Sequence, residues 1–332
     1  MRRRTLLLVG GCVAAGFVLQ ACAGSPSTLD PHADQASTIA RLWWTMLVLG
    51  GIVFLAVVVY LAVALLRRGR RETTPLLDDG RGTGVVIGAG IVVPAIILVA
   101  LFFLTLGTIS ALSADDAHET LAIQVIGHQW WWQVKYPSEG FATANEIHIP
   151  VGQPVELRLT TDDVIHSFWV PQLQRKMDLI PGQVNLLTVE ADTAGIYRGQ
   201  CAEYCGLQHA NMAFQVIAQP AASFQAWMAD QERVPPQPED DLAQQGQQVF
   251  LGSACVYCHT IRGTNASGTI GPDLTHVASR NTLAAGTIPN TPGGLAGWIV
   301  DPQTIKPGNK MPPTQLSQPQ LHELLVYLET LT

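Results

Sequence analysis

The sequence predicts a multi-domain membrane protein: a two-helix transmembrane hairpin, then a β-sandwich or barrel, then a small α-helical domain. Three observations predict it. Only 14% of the 332 residues are charged and 48% are hydrophobic, whereas soluble domains carry about a quarter charged residues. The apolar residues concentrate in two uncharged runs of 25 residues, Leu42–Leu66 and Val85–Ile109. A stretch rich in proline and acid, Val234–Asp241, then separates a strand-patterned region from a helix-patterned one. The net charge of −7 argues against a nucleic-acid binder, which would show a basic patch or stripe.

Residues 1–21 have the layout of a secretory signal, with Arg2, Arg3 and Arg4 ahead of a short apolar run from Leu6. Cys12 falls inside that run. Leu19-Gln20-Ala21-Cys22 resembles a bacterial lipobox, which would leave Cys22 as a lipid-modified N-terminus. Gln20 stands where small residues are commoner, and an ordinary signal peptide is the alternative. The transmembrane hairpin is assigned to 42–112. Twenty-five helical residues span about 37 Å, enough for a hydrocarbon core of about 30 Å. Pro94 should bend or loosen the second helix. Arg67, Arg68, Arg70, Arg71 and Arg81 make the intervening loop basic and so place it in the cytoplasm, with Trp43 and Trp44 at the other interface. Everything after Ser113 is then expected on the outer face of a bacterial cytoplasmic membrane.

Residues 113–233 read as the β domain. Leu121–Ile126, Trp132–Tyr136, Glu146–Ile149, Val155–Thr160 and Asn185–Glu190 are β-rich, punctuated by Pro150, Gly152, Pro154 and Pro181-Gly182. Trp130, Trp131 and Trp132 are expected on one strand. Phe224, Trp227 and Met228 have helical spacing. The linker at 234–241 should be extended and semi-rigid. In 242–332, helical ends (Leu242–Leu251 and Gln318–Leu331) flank a loop-rich middle.

Two constellations carry the chemistry. Cys201, Cys205, His209 and Met212 fall within twelve residues, and His166 comes from an earlier strand end. Thiolate and thioether beside imidazole favour copper over hard cations. One cysteine suffices for a mononuclear blue-copper site; two can bridge a pair of copper ions. A Cys201–Cys205 disulfide is the alternative, suited to an oxidising compartment. In the second constellation, Cys255-Val-Tyr-Cys258-His259 is the attachment signature of a c-type haem. Met311, in a turn-rich segment, is the expected sixth ligand, with His276 and His322 as rivals. Trp298 and Arg280 are candidates to touch the haem edge or propionates.

The pattern Cys-x-Glu-x-Cys-x₃-His-x₂-Met, the His-Ser-Phe-Trp-Val-Pro context of His166 and the aromatic run Gly127–Trp132 resemble subunit II of the haem–copper cytochrome oxidases over about Leu42–Met228. Gly182 and Asn185 also fit. The resemblance implies a cupredoxin barrel with a binuclear copper A centre. Its ligands would be His166, Cys201, Cys205, His209, Met212 and the carbonyl of Glu203, with the Glu203 carboxylate facing magnesium at the border with subunit I. Trp130 would be the electron-entry residue. One departure is that Val85–Ile109 has no carboxylate where that family often places a glutamate at the mouth of a proton path; Glu72, Asp78 and Asp79 precede it.

Gly271-Pro272-Asp273-Leu274 resembles the motif of small cytochromes c in which the carbonyl matching Pro272 accepts a hydrogen bond from the proximal histidine. Together the modules resemble the subunit II–cytochrome c fusion of caa3-type oxidases, with 242–332 as a class I cytochrome c domain. That implies an electron-entry role: from haem c to copper A, then to haem a of subunit I, where oxygen is reduced and protons are pumped. Expected partners are subunit I (haem a and haem a3–CuB), subunit III, membrane lipid and an upstream donor such as a cytochrome bc complex or a soluble cytochrome. An electron-transfer partner of a nitric- or nitrous-oxide reductase and a copper-delivery lipoprotein are the competing classes. Residues 113–233 carry 14 acids against 6 bases and 241–332 carry 5 against 4, a balance that would attract a basic cytochrome or simply aid solubility.

Overall fold

The computed structural model describes residues 26–68, 81–113 and 121–332, which form two compact units: 34–116, and the remainder. The signal segment, Cys22, and Arg70, Arg71, Glu72, Asp78 and Asp79 lie outside the described residues.

In the first unit, α1 (Asp34–Arg68) contacts a second helical stretch made of α2 (Arg81–Ile87), a π-helical turn (Gly88–Val92) and α3 (Val93–Ser113). Both stretches are long and apolar enough to cross a membrane. The π turn sits just before Pro94 and has a simple cause. Proline lacks the N–H that would bond the carbonyl four residues earlier, so the helix widens where that bond is lost.

The second unit holds both soluble modules. Two five-stranded sheets form a sandwich. The first contains β1 (Ala122–His128), β2 (Trp131–Tyr136), β3 (Phe141–Ala144), β5 (Val155–Thr161) and β8 (Asn185–Val189), in the order β3-β2-β1-β5-β8. The second contains β4 (Glu146–Pro150), β6 (His166–Trp169), β7 (Met177–Leu179), β9 (Gly195–Cys201) and β10 (Ala213–Gln219), in the order β4-β10-β9-β6-β7. β1 runs parallel to β5, and β4 to β10; the remaining pairs are antiparallel. Alternation along β2 buries Trp132, Val134 and Tyr136. Trp132 lies edge-on to Phe168 and Phe214, whose own rings stack at 4.5 Å between centroids. These rings form the floor under the loops that carry the metal-ligand candidates.

Trp130 departs from the expected strand. It sits in the turn before β2, which begins at Trp131, so it escapes the in–out alternation of its neighbours. Ahead of α1, His32 lies along the sandwich: its N–H donates to the Gln172 carbonyl and its carbonyl accepts from the Asp192 N–H. Helix α4 (Ala221–Glu232) buries Phe224 and Met228, as their spacing predicts.

Residues 234–239 have no regular structure, and Asp240 then caps α5 (Asp241–Leu251) by accepting from the N–H groups of Leu242 and Ala243. The helical module continues through a small hairpin, β11 (Thr282–Leu283) with β12 (Ile288–Pro289), then α6 (Pro292–Val300), α7 (Pro302–Ile305) and α8 (Gln318–Glu329). Ser317 and Gln320 form a capping box that starts α8. Helices α5 and α8 cross at Gly246, where a Cβ would sit 1.9 Å from the Glu323 carbonyl oxygen. Only a residue without a side chain permits that approach.

Candidate metal and haem centres

The sandwich gathers the copper-ligand candidates at one end. His166 begins β6, Cys201 ends β9, Cys205 lies in the following loop, His209 opens a 3-10 turn, and Met212 immediately precedes β10. The ligand atoms of His166, Cys201 and Cys205 lie within 4.8 Å of one another, and all three residues are buried. The two Sγ atoms are 3.8 Å apart, far beyond the roughly 2.05 Å of a disulfide. His166 Nδ1 lies 3.8 Å from Cys201 Sγ, and His209 Nδ1 3.7 Å from Cys205 Sγ. Met212 Sδ is 3.8 Å from Cys205 Sγ, and the Glu203 carbonyl oxygen 3.1 Å from Cys201 Sγ. A tetrahedral ion with N and S bonds of about 2.0–2.3 Å holds neighbouring ligand atoms about 3.3–3.8 Å apart. The spacing therefore fits soft-metal ligation, with one imidazole beside each sulfur.

The hydrogen-bonded sulfurs share one negative charge. The hydrogen bond with Cys205 lowers the Cys201 thiol to about 3, outweighing burial, and His166 adds to it; Cys205 is correspondingly pushed up by its neighbour. Thiolate is the form that binds metal. A residue unremarked in the sequence, Asp163, holds His166: its Oδ1 lies 2.9 Å from Nε2, leaving Nδ1 turned to the sulfurs. Burial would lower His166, but the bonds to Asp163 and Cys201 outweigh it and raise the imidazole. Burial likewise opposes ionisation of Asp163, yet His166 and the N–H groups of Gln129 and Val164 hold the carboxyl far below its usual range. The i, i+3 spacing to His166 was the available signal.

A cavity of about 780 Å³ between the helical module and the Trp130 turn has walls that include Cys255, Cys258, His259, Pro272 and Met311. His259 Nδ1 donates to the Pro272 carbonyl at 2.7 Å, leaving Nε2 as the free lone pair. Burial lowers the imidazole, against the pull of that bond, and so favours the neutral form that ligates metal. The Met311 backbone is fixed on both sides, its N–H by the Asn309 side chain and its carbonyl by Gln303. His276 is spent on the Thr332 and Arg233 carbonyls and His322 is exposed; neither lines the cavity. Trp298 and Arg280 do line it. Two buried polar atoms of its wall, Arg280 Nε and Thr282 Oγ1, have no protein partner among the described residues. A macrocycle bearing carboxylates would fill the volume and satisfy them, so the residues fit a haem.

The two centres adjoin. Trp130, half-buried rather than exposed, lines the haem cavity, and its Nε1 donates to the Cys205 carbonyl at 3.1 Å. Gln129 donates to the same oxygen at 2.8 Å. Glu203 is exposed and lines a second cavity of about 470 Å³ with Ser167, Lys176 and Asp178.

Comparison with known proteins identifies both modules. The family model described as cytochrome C oxidase subunit II, periplasmic domain, matches residues 139–219, and the cytochrome c model matches 243–332. Cytochrome c oxidase subunit 2 of Alkalihalophilus pseudofirmus is 35% identical over 322 residues, covering 94% of this chain and 93% of that protein. The Bacillus subtilis protein of the same name is 30% identical over 342 residues, covering 95% and 94%. The solved periplasmic domain of subunit II from Bradyrhizobium japonicum is 30% identical, covers 34% of this chain and 93% of its own, and has a TM-score of 0.33. The chain belongs to the cytochrome c oxidase subunit II family and carries a cytochrome c domain after its copper domain, so it is an electron-entry subunit of a haem–copper terminal oxidase.

Proposed function

We propose that Cys255 and Cys258 attach the haem with His259 and Met311 as axial ligands, and that His166, Cys201, Cys205, His209, Met212 and the Glu203 carbonyl hold a binuclear copper A. The copper and haem supply one-electron transfer, from haem c to copper A and on to subunit I. The chain's own residues fix the geometry of that step. Asp163 sets the ring of His166, and the Pro272 carbonyl sets that of His259. Trp130 is the contact between the centres: its indole hydrogen-bonds the backbone of a candidate copper ligand while forming part of the haem cavity wall. That double placement is the observation that carries the reading.

The Glu203 carboxylate is proposed to face subunit I as a magnesium ligand, since it lies exposed beside Asp178 in an open cavity. Domain limits at 113–233, 234–241 and 242–332 and a lipid on Cys22 belong to the same reading, as does a cytochrome bc complex or soluble cytochrome as donor. The test is flash-induced electron transfer in the purified oxidase. Trp130→Ala should slow haem-to-copper transfer at least tenfold while both optical spectra stay unchanged. Transfer at the wild-type rate would remove Trp130 from the path.

A further inference from the structure

Lys306, on the loop after α7, is 2% exposed although it carries an ammonium group. Among the described residues no carboxylate pairs with it. Its Nζ donates instead to three main-chain carbonyls: Trp130 at 2.8 Å, Asn211 at 2.7 Å and Ala284 at 3.0 Å. A lysine has three N–H donors, and all three are used. Two of the acceptors belong to the copper module: Trp130 touches the Cys205 carbonyl, and Asn211 precedes Met212. The third belongs to the turn between β11 and β12. There Ala284 and Ala285 stand at φ of 53° and 58°, in the left-handed region that disfavours any residue with a Cβ. The same turn receives the Ala213 N–H on the Ala285 carbonyl at 3.0 Å. A buried, desolvated amine and a strained turn are both unfavourable for the haem module alone, and both are satisfied only against the copper loop.

We propose that Lys306 is a positioning residue for electron transfer, pinning the haem module to the Trp130 turn and the copper loop so that the two centres keep one fixed separation. This rests on the reading that haem c reduces copper A. A pinned pair should transfer electrons without waiting for domain motion, whereas an unpinned pair must first find the productive contact. The unpinned rate is then limited by diffusion of one module over the other.

The experiment uses the intact oxidase carrying Lys306→Met, which keeps the apolar stem and removes the donors. Both optical spectra should match wild type. Flash-induced haem-to-copper transfer should fall at least tenfold and slow further in glycerol, while the wild-type rate ignores viscosity. Hydrogen exchange at the Ala213 amide should accelerate at least tenfold in the variant, while Val216, inside the β9–β10 ladder, is unchanged. A variant with wild-type, viscosity-independent transfer and an equally protected Ala213 amide would overturn the pin. If the variant fails to load either centre, exchange in the wild-type oxidase decides: protection of Ala213 comparable to Val216 supports the dock, and loop-like exchange refutes it. If the wild-type haem never reduces copper, the electron-transfer reading fails, and the exchange comparison still judges the dock.

Discussion

In the sandwich, His166, Cys201 and Cys205 bring their ligand atoms within 4.8 Å of one another through protein contacts alone. In the helical module, Cys255, His259 and Met311 instead stand around a cavity of about 780 Å³. The difference is one of scale. Copper is small enough for a loop, braced by Asp163 and the Trp132–Phe168–Phe214 floor, to preform its site. A haem is large enough to count as core, so its module depends on it for packing as well as for chemistry.

Removing the proposed attachment cysteines should therefore break the symmetry between the modules most strongly. Leaving a cavity of that size unfilled removes packing from a domain whose whole stability is only about 5–15 kcal/mol. In Cys255→Ser/Cys258→Ser, amides of α5 and α8 should lose their exchange protection while those of β9 and β10 keep it. Protected α5 and α8 amides would show that the module does not need its haem.

A matched pair of glycine substitutions sharpens the comparison. Gly246→Ala drives a Cβ to 1.9 Å from the Glu323 backbone, whereas Gly199→Ala drives one to 2.2 Å from the Phe214 ring. A ring can shift and a helix backbone cannot without unpacking. Gly246→Ala should thus cost about 3 kcal/mol or more, and Gly199→Ala about 1–3 kcal/mol. Denaturant titration followed by each centre's spectrum should assign each loss to its own module. Equal losses would mean that the helix crossing is as compliant as the ring.

The smallest effect is expected at Asp163. Asp163→Asn keeps the shape but weakens the hold on His166, and partners of this kind contribute roughly 10–100-fold to metal affinity. Competition of the copper centre against a chelator should show that loss, with the haem spectrum unchanged. Unaltered copper retention would mean that packing alone orients His166.

The candidate ligands were legible because such chemistry imposes spacing: Cys-x₃-Cys-x₃-His-x₂-Met on one loop, Cys-x-x-Cys-His on another. The helices α5 and α8 were legible from their apolar periodicity. What was not legible depends on contacts distant along the chain. Strand β9 escaped pattern reading because polar and glycine residues interrupt its apolar alternation, as in Gly195-Ile-Tyr-Arg-Gly-Gln-Cys201. Trp130 read as strand because its neighbours are strand, yet it serves the turn. Lys306 lies 176 residues from Trp130 in the chain, and nothing local marks it.

The acceptors of Lys306 share a property with a long reach: every one is a peptide carbonyl. On the copper side, any amino acid at 130 or 211 would offer that oxygen, so the hydrogen bond itself is indifferent to side-chain identity there, although the Trp130 indole has its own role. The donating side has a single solution, a long primary amine. Side-chain changes at 211 can therefore accumulate without a compensating change at 306, and a mutational scan read by exchange of the Ala213 amide should find Lys306 intolerant and Asn211 permissive. Such a lopsided joint lets one module drift while the other keeps its grip.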